Sequence, residues 1–265
     1  MRATAQITKF KIIFLTREFL MIKKILISAI TLLTVVACTP KEDVPDFKGF
    51  KDVKEKKAAF FNFMYPAVMN ENIRVAEERV FLERISDKVA KSESLTSAET
   101  TRVGELTESY KSDLSDGGMT SEWLSSLLVK VDLIPAPLVL SQGANESAWG
   151  TSRFAREASN YFGQWCYSKG CGLVPNQRNE GAAHEVAKFD SSQAAVHAYF
   201  MNVNRNNAYK ELRVIRLELH KSTEPLTDEQ QATVLAKGLI RYSERGEAYV
   251  EEIQTMIRHN SQYWR

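Results

Sequence analysis

From Met119 to the C-terminus, segments with helical periodicity follow one another with one interruption, residues 159–190, which is rich in Gly, Asn and aromatic side chains. Thr120-Ser121-Glu122 is a capping sequence for a helix that carries Trp123, Leu124, Leu127 and Leu128. Ile134-Pro135-Ala136-Pro137 ends that helix and begins the next, because proline suits a first helical turn. The second helix has a small-residue surface of Gly143, Ala144, Ser147 and Ala148, stops at Gly150, and is followed by a short helix capped by Thr151 or Ser152. After the interruption, Asp190-Ser191 opens a helix, Asn207–His220 forms another, and Thr227 with Gln230 has capping-box spacing for one that runs through Tyr242. The last runs from Gly246 to about His259, with Tyr249, Val250, Ile253, Met256 and Ile257 inward. Inside the interruption, Val174 and the alternating stretch Ala183–Phe189 are strand candidates. The pattern is α+β, mostly helical with one small β element, and shows no internal repeat.

The region before Met119 divides differently. Residues 51–85 carry an amphipathic helical pattern through Phe60, Phe61, Met64, Val68, Ile73, Val75, Val80, Phe81 and Ile85, with a break expected near Pro66. Leu95–Leu114 continues it, and Asp116-Gly117-Gly118 ends it. Residues 51–118 read as a helical accessory region, 119–265 as the domain that carries the chemistry, and 38–50 as a tether. Lys23-Lys24 precedes an apolar run from Ile25 to Val36, too short to span a bilayer core of roughly 30 Å comfortably. With Val35-Val36-Ala37-Cys38 it resembles a bacterial lipoprotein signal, which implies that Cys38 is lipidated and becomes the mature N-terminus. Residues 1–37 would then be signal plus an upstream extension. That implies an exported, membrane-anchored protein, on the periplasmic face of the outer membrane if the host has two membranes, since Thr39 and not Asp follows Cys38.

Charge then changes sign. The whole chain has 35 basic and 33 acidic residues. Without the six basic residues and the one acid of residues 1–37, 29 basic and 32 acidic remain, a net charge of about −3. No global field favours nucleic acid, and a polyanionic partner would have to be held by local geometry. In an exported chain, Cys166 and Cys171 read as a structural disulfide; a reduced pair or half a zinc site are the other readings. The four His are scattered, so no metal or organic cofactor is expected.

One acid stands out. Glu146 lies among Gly143, Ala144, Ala148 and Trp149, where poor solvation would raise its pKa toward what a general acid needs. The string Ala144-Asn145-Glu146-Ser147-Ala148-Trp149-Gly150, followed by Asn160-Tyr161-Phe162-Gly163, resembles the bacterial endo-β-N-acetylglucosaminidases of glycoside hydrolase family 73. Lys188-Phe189-Asp190-Ser191, Asn207-Ala208-Tyr209, and Tyr242-Ser243 with Tyr249 extend the likeness, closest to the Bax-like branch.

The resemblance implies a lysozyme-like fold and cleavage of peptidoglycan glycan strands after GlcNAc, with Glu146 as proton donor. A second carboxylate would be Glu180, preferred for its Gly-containing loop, or Glu185. Alternatively the substrate's 2-acetamido group attacks C1, with Tyr242 as helper. Tyr161, Phe162, Trp165 and Tyr209 are the expected sugar contacts, and Trp149 a packing residue behind Glu146. Other readings are a lytic transglycosylase or muramidase on the same fold, or a lipoprotein that binds peptidoglycan without cutting it.

Overall fold

The computed structural model describes residues 42–114, 118–176 and 184–264. Cys38 and Glu180, and with them the lipidation site and the preferred second carboxylate, lie outside the described residues. Residues 43–265 form one compact unit. No helix among the described residues is long and apolar enough to cross a membrane.

The longest element is α1 (Val53–Ala90), capped by Asp52, whose carboxylate accepts from the backbone of Lys54 and Glu55. It runs straight through Pro66, where the sequence leads one to expect a break. Pro66 and Asn62, the residue whose carbonyl a residue-66 amide would have met, are both on the solvent face. The freed carbonyl is therefore on the side open to solvent, while Met64, Ala67 and Val68 stay buried beside it. Ile73 and Val80, expected inward, point outward at 55% and 65% exposure. The buried face here carries Glu71 and Asn72 beside Val75. Asn72 makes a paired contact with the backbone of Ile134, donating to its carbonyl and accepting from its amide.

After α2 (Ser97–Ser109), opened by a Thr96–Glu99 capping box, come α3 (Ser121–Lys130) and α4 (Ala136–Glu146). Residues 136–144 of α4 are all buried, so this helix is the axis of the core. α1 packs on α3, on α4 and on α6 (Ser192–Arg205); α8 (Asp228–Leu235) and α9 (Glu247–His259) close the other side of α4. Gly143 lets the ring of Phe162 press against α4: a Cβ there would lie 3.3 Å from that ring. The region before Met119 thus shares the core of the rest, with Phe60 and Phe61 packed edge-on against Trp149.

The β element is a three-stranded antiparallel sheet, β1 (Trp165–Cys166), β2 (Gly172–Leu173) and β3 (Glu185–Ala187), in the order β1-β3-β2. β3 falls within the alternating stretch expected to be a strand, whereas Val174 lies just beyond β2. β1 had no alternating signal, because two residues are too few to show one. Short α5 (Arg153–Ala158), capped by Ser152, precedes the sheet in the chain, and α7 (Lys210–Lys221) lies between α6 and α8. The helix expected through Tyr242 ends at Leu235 and tightens into a 3-10 turn over Ala236–Leu239.

Candidate active site

α4 ends at Glu146, and the chain then makes an abrupt turn. Ala148, Trp149 and Gly150 are all left-handed, with φ of 50°, 60° and 76°. Two non-glycine residues in that region cost energy and mark a site whose geometry is over-determined by its surroundings. The Gly150 amide donates to Ser147 Oγ at 2.8 Å, and Trp149 is held by Phe60, Phe61 and the Lys57 ammonium, 4.9 Å above its ring. Trp149 is thus packing behind the acid, as expected.

Glu146 opens onto a groove of about 970 Å³. Its carboxyl is half-buried, and burial raises its pKa, opposed by hydrogen bonds from Tyr249 and Asn145. The Tyr249 hydroxyl donates to Oε1 at 2.8 Å. That direction is set by a relay. The Tyr199 hydroxyl donates to Gln142 Oε1, so Gln142 Nε2 faces Tyr249 and donates to its oxygen at 3.0 Å, leaving the Tyr249 proton for Glu146. With Oε1 accepting from Tyr249, a proton on this carboxyl would be carried by Oε2. Oε2 lies beside Gly163, where a Cβ would come within 3.6 Å of it and φ is +65°. Glu146 is the one carboxylate among the described residues lining the groove.

Asn160 explains why the loop after α5 holds this shape. Its side chain donates to the carbonyls of Gln164 and Ala187 and accepts from the amides of Phe162 and Gln164. One buried amide therefore ties the loop to β3 and sets Phe162, Gly163 and Trp165 along the groove.

This constellation is a half-buried carboxyl on the wall of an open groove with aromatic lining. The glucosaminidase family, described as mannosyl-glycoprotein endo-beta-N-acetylglucosaminidase, matches residues 125–262. Protein bax of Escherichia coli (strain K12) is 30% identical over 217 residues, which cover 82% of this chain and 74% of that protein. The chain belongs to the glucosaminidase family. No solved structure matches it.

The expected sugar contacts separate in this glucosaminidase fold. Trp165 lines the groove, is 58% exposed, and stacks on His184 with ring centres 4.0 Å apart. Tyr209 also lines it, with its hydroxyl bonded to Asn202, and Phe162 forms buried floor, stacked on Tyr199 at 4.4 Å. Tyr161 does not reach the groove. It is 1% exposed and its ring packs toward α1, against Phe60 and Phe63. Neighbouring side chains of the loop point to opposite sides, so Phe162 and Tyr161 cannot both face the cleft.

The candidate second acid Glu185 is also corrected. It is 7% exposed, and its two oxygens accept from the amides of Gly170 and Gly172 at 3.0 and 2.9 Å. It braces the loop closed by the Cys166–Cys171 disulfide and does not line the groove. Cys166, Cys171 and Glu185 are the one trio of metal-type ligands close together among the described residues, and the two sulfurs are bonded to each other.

Tyr242 lines the groove, but its hydroxyl donates to the Phe162 carbonyl at 2.8 Å. It stacks on Tyr249, ring centres 5.4 Å apart. The tyrosine that touches Glu146 is Tyr249, which periodicity alone assigns to the core of α9. Its hydroxyl meets the acid while its ring packs in the core, and Tyr242 lies seven residues before it, in the turn that precedes α9.

Proposed function

We propose that this glycoside hydrolase cleaves the β-1,4 bond after N-acetylglucosamine in the glycan strands of peptidoglycan, with Glu146 as general acid. The observation that carries the reading is the Glu146 carboxyl itself: half-buried, its pKa raised by burial, Oε1 fixed by Tyr249 and Oε2 turned to the groove beside Gly163. The Oε2 proton passes to the glycosidic oxygen as the C1–O bond breaks, and water completes the exchange at C1.

In one form of this reading the substrate's 2-acetamido oxygen attacks C1 as internal nucleophile. Tyr242, its own proton committed to Phe162, offers an oxygen lone pair to the acetamido N–H. Glu180 is the alternative second group, acting as base on water. Trp165 and Tyr209 supply the apolar faces against which sugar rings lie.

The lipid anchor at Cys38, and with it a periplasm-facing position at the outer membrane of a two-membrane host, belongs to the same reading. Intact mass of membrane-extracted protein tests it: a chain that begins before Cys38 without acyl groups ends that part.

The decisive experiment digests purified peptidoglycan with residues 39–265 beside the Glu146→Gln variant, followed by borohydride reduction and mass spectrometry. Reduced GlcNAc ends that are absent with the variant support the proposal. Reduced or anhydro-MurNAc ends replace it with a muramidase or transglycosylase. Binding without products from either protein moves the reading to an envelope scaffold.

A further inference from the structure

Lys111, Lys130 and Arg205 line the groove together with Asn202, Asn206 and Asn207, in a chain whose mature form carries more acids than bases. The three cations come from three separate places in the sequence: the turn after α2, the end of α3, and the last turn of α6. They converge on one short stretch of backbone. Lys130 Nζ donates to the carbonyls of Tyr110 and Lys111 at 3.2 and 2.6 Å, and Arg205 Nη1 to that of Ser109 at 2.9 Å. These carbonyls form the C-terminal end of α2, which favours cations.

None of the three forms a salt bridge with a carboxylate among the described residues. Asp113 acts on Lys130 only weakly: burial, and then Arg213, push the Lys130 pKa down more than Asp113 lifts it. Lys111 is exposed and makes no side-chain hydrogen bond among the described residues.

The cluster is continuous with the catalytic wall. From Tyr249, bonded to Glu146, the aromatic row steps to Tyr242 at 5.4 Å and to Tyr209 at 5.9 Å. Tyr209 is joined in sequence to Arg205–Asn207. A strand lying along the groove past Tyr209 therefore meets three positive charges with amide donors between them.

We propose that Lys111, Lys130 and Arg205 form an anion subsite that takes a carboxylate carried by the substrate glycan. This rests on the proposed glycan substrate and gives the region before Met119 a part in recognition, through Lys111. The carboxylate has two sources, the lactyl group of a strand without peptide stems and the peptide stem itself.

The test measures binding without turnover, in the Glu146→Gln background. The ligands are soluble GlcNAc–MurNAc strands with free lactyl carboxylates, the same strands methyl-esterified, and strands with intact stems. The acid strand is expected to bind about three- to fivefold tighter than the ester at low salt, with the difference lost at high salt. Lys111→Glu brings that ratio to one or below, and Lys111→Arg keeps it. Stem-bearing strands that bind like the acid assign the carboxylate to the peptide; strands that bind like the ester assign it to the lactyl group. Equal binding of acid, ester and stem-bearing strands at low salt overturns the subsite alone. No binding of any strand overturns the subsite and the peptidoglycan substrate together.

Discussion

Glu71 and Glu146 are both helical glutamates drawn out of water, and they end with opposite acidities. Glu71 is 2% exposed on α1; Arg74 donates to its Oε1 at 3.0 and 2.7 Å, and His197 Nδ1 lies 2.9 Å away. Burial pushes its pKa up, but hydrogen bonds from His197 and Arg74 together push further down, and the carboxyl ends below its ordinary value of 4.5. Glu146 feels the same upward push, and its partners are the hydroxyl of Tyr249 and the amide of Asn145, so its pKa ends above 4.5. Tyr249 cannot become a charged partner, since burial and the nearby Glu146 push its own pKa far up. Desolvation alone does not make a catalytic acid. A cationic partner turns a buried glutamate into a strut, and a neutral donor leaves it a proton to give.

The comparison breaks first if Glu146 can be neutralised without loss of activity. Glu146→Gln should lower the release of reducing ends by about 10²–10⁴-fold, the usual contribution of a general acid, with an unchanged circular dichroism spectrum. Loss of less than about tenfold would remove Glu146 from the chemistry.

The matching change at the strut should act on stability. Glu71→Gln is expected to cost about 2–3 kcal/mol in urea unfolding at pH 7, because it strips a buried partner from Arg74 while Glu78 still pairs with that guanidinium. Activity per folded molecule should not change. The folded pKa of Glu71 lies below its unfolded value. Its contribution is therefore present above pH 4.5 and is lost as pH falls through the folded value, so the two proteins converge in acid. Equal stability at pH 7 would show that Arg74 and His197 do not hold Glu71 as the geometry implies.

Tyr249→Phe sharpens the comparison from the other side. It removes the donor to Oε1 and leaves Gln142 Nε2 without its acceptor. About a tenfold loss in kcat is expected, or about 1.4 kcal/mol. The hydrogen bond from Tyr249 lowers the Glu146 pKa, so its removal raises that pKa further. A general acid works protonated, and activity falls as pH rises through its pKa; the alkaline limb of the pH–rate profile should therefore move to higher pH. A limb that stays in place would mean Tyr249 orients the carboxyl without tuning it.

Much of this was legible in the sequence where the signal was local. The caps at Thr120 and Thr227 lie within a few residues of the helices they open, and two others are narrowed to Thr151 or Ser152 and to Asp190-Ser191; the helix that carries Glu146 ends at that residue, short of the stop expected at Gly150. The disulfide needed only two cysteines five positions apart. What could not be read depended on contacts distant in sequence. Whether Tyr242 or Tyr249 reaches Glu146 is decided by how α9 lies on α4, about a hundred residues earlier. Glu185 looked free because its partners are backbone amides, which every sequence has. Tyr161 and Phe162 carry equivalent aromatic signals, and only the packing against α1 says which one turns away from the groove. The basic cluster on the groove was invisible for the same reason: Lys111, Lys130 and Arg205 meet only after α2, α3 and α6 have packed.

The smallest effect is the most discriminating. A carboxyl with a folded pKa above its unfolded one contributes fully to stability below the unfolded value, where it is protonated in both states, and that contribution is lost as pH rises through the folded value. Wild-type protein at neutral pH therefore carries the cost of keeping Glu146 poorly solvated, and Glu146→Gln, neutral at every pH, does not. The variant that destroys activity should be the more stable one at pH 7, by about 0.5–2 kcal/mol. The gain should shrink toward zero as pH falls below about 4.5, where the wild-type group is protonated in both states. Glu71→Gln must show the opposite sign at pH 7, so urea titrations of the two variants at pH 4 and pH 7 test the whole contrast in one experiment. A destabilised Glu146→Gln at pH 7 would mean that the carboxylate is well held by its neighbours, and that the strain stored at this helix end lies in the left-handed turn at Ala148 and Trp149 and not in the acid.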